Sequence, residues 1–190
     1  MRRATAYCSA ILESALTGLK NGGHDVDLIH LDKDGFNPVM TACDLEGYSK
    51  GISSDPKVLE YQDKMKDAGH IIFIFPIWWE LMPALTKGFI DKVLTKGFAY
   101  DCVLNRRLPK FANKLRYLKG VTVITTMDTP SIVYRLVFGN AIKKSLLVGT
   151  FWKIGVKNTR WISFNMVKSS SVAKRKRWLT RIGKYCSRLA

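Results

Sequence analysis

The chain lacks a long apolar run, a close pair of cysteines and, beyond Asp128, any acidic residue. Its longest strongly apolar stretch, Ile71 to Trp79, is too short to cross a bilayer, which takes about 20 helical residues, so no membrane span is expected. Met1-Arg2-Arg3 leads into Ala4-Thr5-Ala6-Tyr7-Cys8-Ser9; without a sustained apolar segment there, no signal peptide is expected. Cys8, Cys43, Cys102 and Cys186 stand far apart, with no CxxC spacing. In a chain of 190 residues they read as the reduced thiols of a cytoplasmic protein, and no metal site is expected. No internal repeat or low-complexity linker divides the sequence, so residues 1–190 read as a single domain.

What is abundant is positive charge. Thirty-one Lys and Arg face 15 Asp and Glu, a net charge of +16. The excess gathers at the end, in Lys168, Lys174, Arg175, Lys176, Arg177, Arg181, Lys184 and Arg188. Such a field draws anions: nucleic acid, an anionic membrane surface and phosphorylated cofactors are the candidates. A solvated basic helix face is the plainer reading. The hydrophobic fraction, 47%, and the mean hydropathy, -0.03, belong to a globular chain, not a disordered one.

Hydrophobic spacing orders the chain. Ile11, Leu12, Ala15, Leu16 and Leu19 form one helical face over Ser9–Leu19, which Asn21-Gly22-Gly23 ends. Asp25–Leu31 alternates and predicts a strand; Asp32–Ser54 is polar and turn-rich. Asp55-Pro56 opens a helix that runs to about Ala68. Ile71–Phe75 is an unbroken apolar strand, as in a parallel sheet covered on both faces. A helix over Pro83–Leu94, an aromatic and basic loop, and a buried strand over Val121–Thr126 follow. Ser131–Leu147 predicts a helix that Gly139-Asn140 interrupts, Asn158–Met166 a last strand, and Ser171–Cys186 a basic amphipathic helix. This alternation predicts an α/β fold with a parallel sheet.

Open parallel sheets bind ligands beyond the carboxyl ends of their strands. After Ile71–Phe75 comes Pro76-Ile77-Trp78-Trp79-Glu80-Leu81-Met82-Pro83. Its adjacent tryptophans serve either packing or a wall for a flat aromatic ligand. After Val121–Thr126 comes Met127-Asp128-Thr129-Pro130-Ser131, either an ordinary helix-capping turn or a set of hydrogen-bonding groups for a heteroaromatic edge.

Phe75 to Val93, FPIWWELMPALTKGFIDKV, resembles the signature of the NAD(P)H quinone oxidoreductases with a flavodoxin-like fold. Gly23–Ile29, Gly97–Tyr100, Thr125–Pro130, Tyr134–Asn140 and Val167–Ser171 resemble further family segments in the family's order. The resemblance implies a flavodoxin-like three-layer sandwich and a flavin, FAD or FMN, across the carboxyl edge of the sheet. It implies that Pro76, Ile77, Trp78 and Trp79 wall the ring, that Thr125, Thr126 and Met127 border it, and that Tyr134 is catalytic. It further implies NAD(P)H as donor, a quinone or nitroaromatic acceptor taking the same place in turn, and a homodimer. The chain departs from the family at Asn140, where a histidine is expected, and at Glu80, where an aromatic or small residue is common. Ala6 stands where a phosphate-contacting serine is expected, with Thr5 as its substitute. The family's first strand has no counterpart after Met1, so the sheet is expected to lack it, and a full-length protein is expected to carry that strand upstream. A basic protein binding nucleic acid or an anionic surface without catalysis is the alternative, with nucleic acid the less favoured partner.

Overall fold

Three parallel strands carry the core of the computed structural model, which describes residues 2–48, 50–104 and 109–189, with backbone alone at 2–6, 103–104 and 109–110. They are β1 (His70–Pro76), β4 (Gly120–Met127) and β5 (Thr159–Asn165), in the order β1-β4-β5. Ile71 lies beside Val121, and Val121 beside Thr159. The central strand β4 is buried along its whole length, whereas β1 is fully buried only at Phe75. Its outer edge has no strand partner among the described residues.

Helices cover both faces. On one side lie α1 (Arg2–Asn21) and α6 (Val172–Cys186), burying Tyr7, Ile11, Ala15, Ile182 and Cys186 against Ile124 and Phe164. On the other lie α3 (Pro56–Lys66), α4 (Ala84–Val93) and a π-helix, Lys143–Trp152, closing over Tyr61, Phe73, Phe89 and Phe151. The caps match the sequence. Asp55 accepts from the Lys57 backbone N–H at the start of α3 (2.9 Å), and Ser171 from that of Lys174 at the start of α6 (3.2 Å). A short α2 (Ala42–Tyr48) lies within the polar excursion, and α5 (Ser131–Leu136) follows β4. The break expected at Gly139-Asn140 is there, both residues having positive φ.

The strand expected over Asp25–Leu31 does not form. That segment has no ladder partner, and its Val26 and Leu28 are nearly half exposed. Alternation marks a strand, but a strand also needs a neighbour to accept its backbone hydrogen bonds, and no described residue supplies one there. The aromatic and basic loop is in part an antiparallel hairpin, β2 (Tyr100–Leu104) with β3 (Pro109–Asn113).

The α1–α6 crossing depends on glycine. A Cβ on Gly18 would overlap the Gly183 backbone, whereas one on Gly183 would rest 3.4 Å from Ser14 Oγ, an ordinary contact. Gly18→Ala is therefore expected to cost about 1–3 kcal/mol through overpacking. Gly183→Ala is expected to be neutral or stabilising by about 0.5 kcal/mol, because alanine is the better helix former. Thermal unfolding of the two variants checks the contrast; equal losses would contradict it.

Candidate active site

All three parallel strands end on one edge, so the loops after Pro76, Met127 and Asn165 meet there. The Ile77 N–H donates to the Thr126 carbonyl (2.8 Å), carrying the ladder one residue past β1. The chain then turns back sharply. Trp78 and Leu81 exchange both backbone hydrogen bonds (3.0 Å each), with Trp79 and Glu80 between them at φ of 49° and 61°. Positive φ at both central residues belongs to type I′ turns, which normally use Asn-Gly. For a tryptophan and a glutamate it costs about 1–2 kcal/mol per residue.

Two hydrogen bonds hold this strained turn, and two more brace their donors. The Tyr134 hydroxyl donates to the Glu80 carbonyl (2.8 Å) and accepts from the Ile142 N–H (3.1 Å). Thr129 Oγ1 donates to Glu80 Oε1 (2.8 Å), and Asn165 Nδ2 in turn donates to the Thr129 carbonyl (2.9 Å). The turn is thus tied to the elements after β4 and to the end of β5. Its product is an indole in solvent: Trp79 is 97% exposed and Trp78 half exposed.

The expected site residues divide into two groups. Pro76, Ile77, Trp78 and Trp79 lie along the accessible rim. Thr125, Thr126 and Met127 are buried beneath it. Thr125 Oγ1 accepts from Trp161 Nε1 (2.9 Å) on one face of the sheet, and Thr126 Oγ1 contacts Cys8 Sγ (3.4 Å) on the other. Tyr134 is 1% exposed, with its ring 5.5 Å from that of Trp161. Burial pushes its hydroxyl above the ordinary phenol value, which keeps it a proton donor to Glu80.

Sequence reasoning noted Glu80 and Asn140 only as departures; the structure places both at the site. Glu80 Oε2 and Asn140 Oδ1 are buried acceptors with no partner. Asn140 is joined to Tyr134, its backbone N–H donating to the Tyr134 carbonyl (3.0 Å). A flat ring that offers N–H donors at one edge and an apolar face to the indoles fits this set, so the residues present suit a flavin ring. The second turn of α1 reaches the same edge, since Cys8 touches Thr126 and the Tyr7 hydroxyl donates to the Arg175 carbonyl (3.1 Å), and the amino end of the helix lies one turn beyond. A helix amino end favours an anion such as a phosphate. The side chains of Thr5 and Ala6 lie outside the described set.

Residues 1–185 match the family Flavodoxin_2, described as having a flavodoxin-like fold. The chain belongs to that family. The flavodoxin-like chain is 30% identical over 135 residues to rat NAD(P)H dehydrogenase [quinone] 1, covering 62% of itself and 49% of that protein. It spans about half the length of the curated relatives it first matches. An NAD(P)H:quinone oxidoreductase from Methanothermobacter marburgensis superposes with a TM-score of 0.83 at 20% identity, covering 100% of this chain and 94% of that one. An FMN-dependent NADH-azoreductase from Bacillus anthracis, solved in complex with FMN, superposes with a TM-score of 0.70 at 14% identity over 99% and 91% of the two chains. The two superpositions establish likeness of fold.

Proposed function

We propose that the chain is a flavin-dependent NAD(P)H dehydrogenase of quinone-like acceptors, FAD or FMN being the flavin. The observation that carries this is the strained Trp79-Glu80 turn, which holds an indole in solvent at the carboxyl edge of a parallel sheet. Left-handed backbone in bulky residues persists where function requires the geometry. The curated relative named as a quinone dehydrogenase and the FMN-bound neighbour support the same reading. They give no support to a basic protein without catalysis.

When bound, the flavin supplies the chemistry, taking hydride from NAD(P)H and passing two electrons to the acceptor. Pro76, Ile77, Trp78 and Trp79 form the wall for its ring, with Met127 and the backbone of Thr125 and Thr126 as the floor. Glu80 and Asn140 accept hydrogen bonds from ligand N–H groups. Tyr134, with both hydrogen-bonding functions already engaged, acts as a positioning residue that holds the turn. We place the protein in the cytoplasm, in keeping with its four free thiols. No described helix is long and apolar enough to cross a membrane. We assign a homodimer to the exposed apolar group Ile132, Leu136, Val137, Phe138 and Trp152, on α5, the turn after it and the end of the π-helix.

The test is to supply purified protein with each flavin, remove the excess and add NADH or NADPH without oxygen. Bleaching of a yellow protein, reversed by a quinone, is the expected result; uptake of neither flavin would overturn the reading. Trp79→Asn sharpens it, since asparagine tolerates left-handed backbone. The variant is expected to gain about 0.5–1 kcal/mol of stability and to bind flavin about tenfold more weakly. Calorimetry and flavin titration check the opposite signs.

A further inference from the structure

We propose that the outer face of α6 docks on an anionic lipid bilayer, bringing the active-site edge to a lipid-soluble acceptor. The lipid-soluble acceptor rests on the reductase reading; the docking itself rests on α6.

In α3 and α4 every lysine is neutralised, Lys92 by Asp44 and Asp55. Lys57 and Lys64 both pair with Glu60 (2.7 Å each), Lys66 with Asp63 (2.6 Å) and Lys87 with Asp91. Helix α6 is built otherwise. It carries Lys174, Arg175, Lys176, Arg177, Arg181 and Lys184 with no acidic residue. Among the described residues none of these cations pairs with a carboxylate. Arg175 is used internally, donating to the Ser170 carbonyl (2.7 Å), and the others face outward. Lys174, Arg177, Arg181 and Lys184 succeed one another at helical spacing in a row about 15 Å long, which Arg188 extends.

This arrangement opposes the helix itself. Like charges at such spacing repel, and Lys174 and Arg175 stand in the first turn, where the helix dipole favours anions. Apart from the Arg175 hydrogen bonds and the Lys174 ammonium over the Trp178 ring (5.2 Å), no contact among the described residues offsets these charges, and a local rule broken without structural gain points to function. The matching surface is one of negative charge.

Two features favour a bilayer over nucleic acid. Met166 and Val172, exposed at the amino end of α6 beside Lys168 and Lys174, suit the acyl boundary and have no use against a phosphate backbone. Both aromatic residues of α6 are engaged: Trp178 is stacked on Phe164 with ring centroids 5.0 Å apart, and Tyr185 has its hydroxyl 2.7 Å from Thr122 Oγ1 and the Arg160 guanidinium over its ring (4.6 Å), so neither is free to stack on a base. Because α6 starts after the loop that leaves β5, the amino end of the docked face lies at the same carboxyl edge of the sheet as the loop bearing Trp78 and Trp79.

The experiment is sedimentation of the whole protein with vesicles of phosphatidylcholine containing phosphatidylglycerol, against vesicles of phosphatidylcholine alone. Binding is expected to the anionic vesicles only and to be lost as salt rises from about 0.1 M to about 0.5 M. The triple variant Arg177→Glu, Arg181→Glu, Lys184→Glu is expected to bind about 100-fold more weakly. Its melting temperature should match or exceed that of the parent, because repulsion is relieved; the Gln triple variant should lie between. No anionic-vesicle binding, binding unchanged in the triple variant, or binding of duplex DNA in preference to vesicles would each overturn the proposal. Flavin and hydride donor are absent from the assay, so its failure is separate from failure of the reductase reading.

Discussion

Lys92→Met is expected to destabilise the protein by about 3 kcal/mol, the low end of the range for breaking a buried ion pair. Lys92 is 4% exposed, and its Nζ lies 2.8 Å from Asp55 Oδ2, 3.3 Å from Asp44 Oδ2 and 3.3 Å from the Asn37 carbonyl, to which it donates. It fixes the polar excursion and the start of α3 onto α4. Removing it leaves two carboxylates facing each other without a cation. The low end applies because Asp55 retains a quarter of its side-chain exposure. The pH response carries the signature of the triad. Burial raises the carboxyls of Asp44 and Asp55, but the Lys92 ammonium and hydrogen-bond donors more than reverse this, so both lie below the ordinary value. Their contribution is present above about pH 3.9 and is lost as pH falls through the lowered values. Burial lowers Lys92, and Asp55 and Asp44 more than restore it, so its value is raised. That contribution is complete below about pH 10.4 and disappears as pH rises through the raised value. Denaturant unfolding across pH should show both flanks in the parent. Lys92→Met with Asp44→Asn and Asp55→Asn should flatten them and recover part of the loss; steep flanks in that triple variant would refute the assignment.

Tyr134→Phe is expected to have an effect of similar size. It leaves the Glu80 carbonyl without its donor and the Ile142 N–H without its acceptor, each costing about 1–3 kcal/mol when buried. A loss of about 2–4 kcal/mol follows, together with weaker flavin binding, because the Trp79-Glu80 turn is no longer secured. If Tyr134 positions the turn without taking part in proton transfer, the pH profile of kcat should keep its shape in the variant. Loss of a pH limb, with flavin affinity and melting temperature unchanged, would make it a catalytic acid instead.

The parts of the fold legible in the sequence were those whose signal is local. Ile71–Phe75 and Val121–Thr126 declare burial by continuous apolarity, and Asp55 and Ser171 announce their helices by capping. The segment Asp25–Leu31 has the alternation of a strand, but pairing is a property of two segments. The β2–β3 hairpin escaped notice because its short strands mix aromatic, charged and apolar residues without a tight-turn pair. At the site, the Pro76–Trp79 rim was legible from its position after a buried strand. The role of Glu80 was not, since its partners Thr129 and Tyr134 lie 49 and 54 residues away. Nor was the burial of Tyr134 or its hydrogen bond to the Glu80 carbonyl.

The side of β1 that has no strand partner among the described residues also bears on how the molecule behaves in company. His70 to Pro76 presents seven residues without a formal acidic or basic side chain other than one histidine, and with β-branched or aromatic groups from Ile71 to Phe75. Such a border is a template on which a second chain can add by backbone pairing, the route to cross-β stacking. Mutual repulsion between molecules of charge +16 opposes that association. The same cationic excess that draws the protein toward anions therefore acts as a guard on its solubility, and this guard weakens as ions screen it.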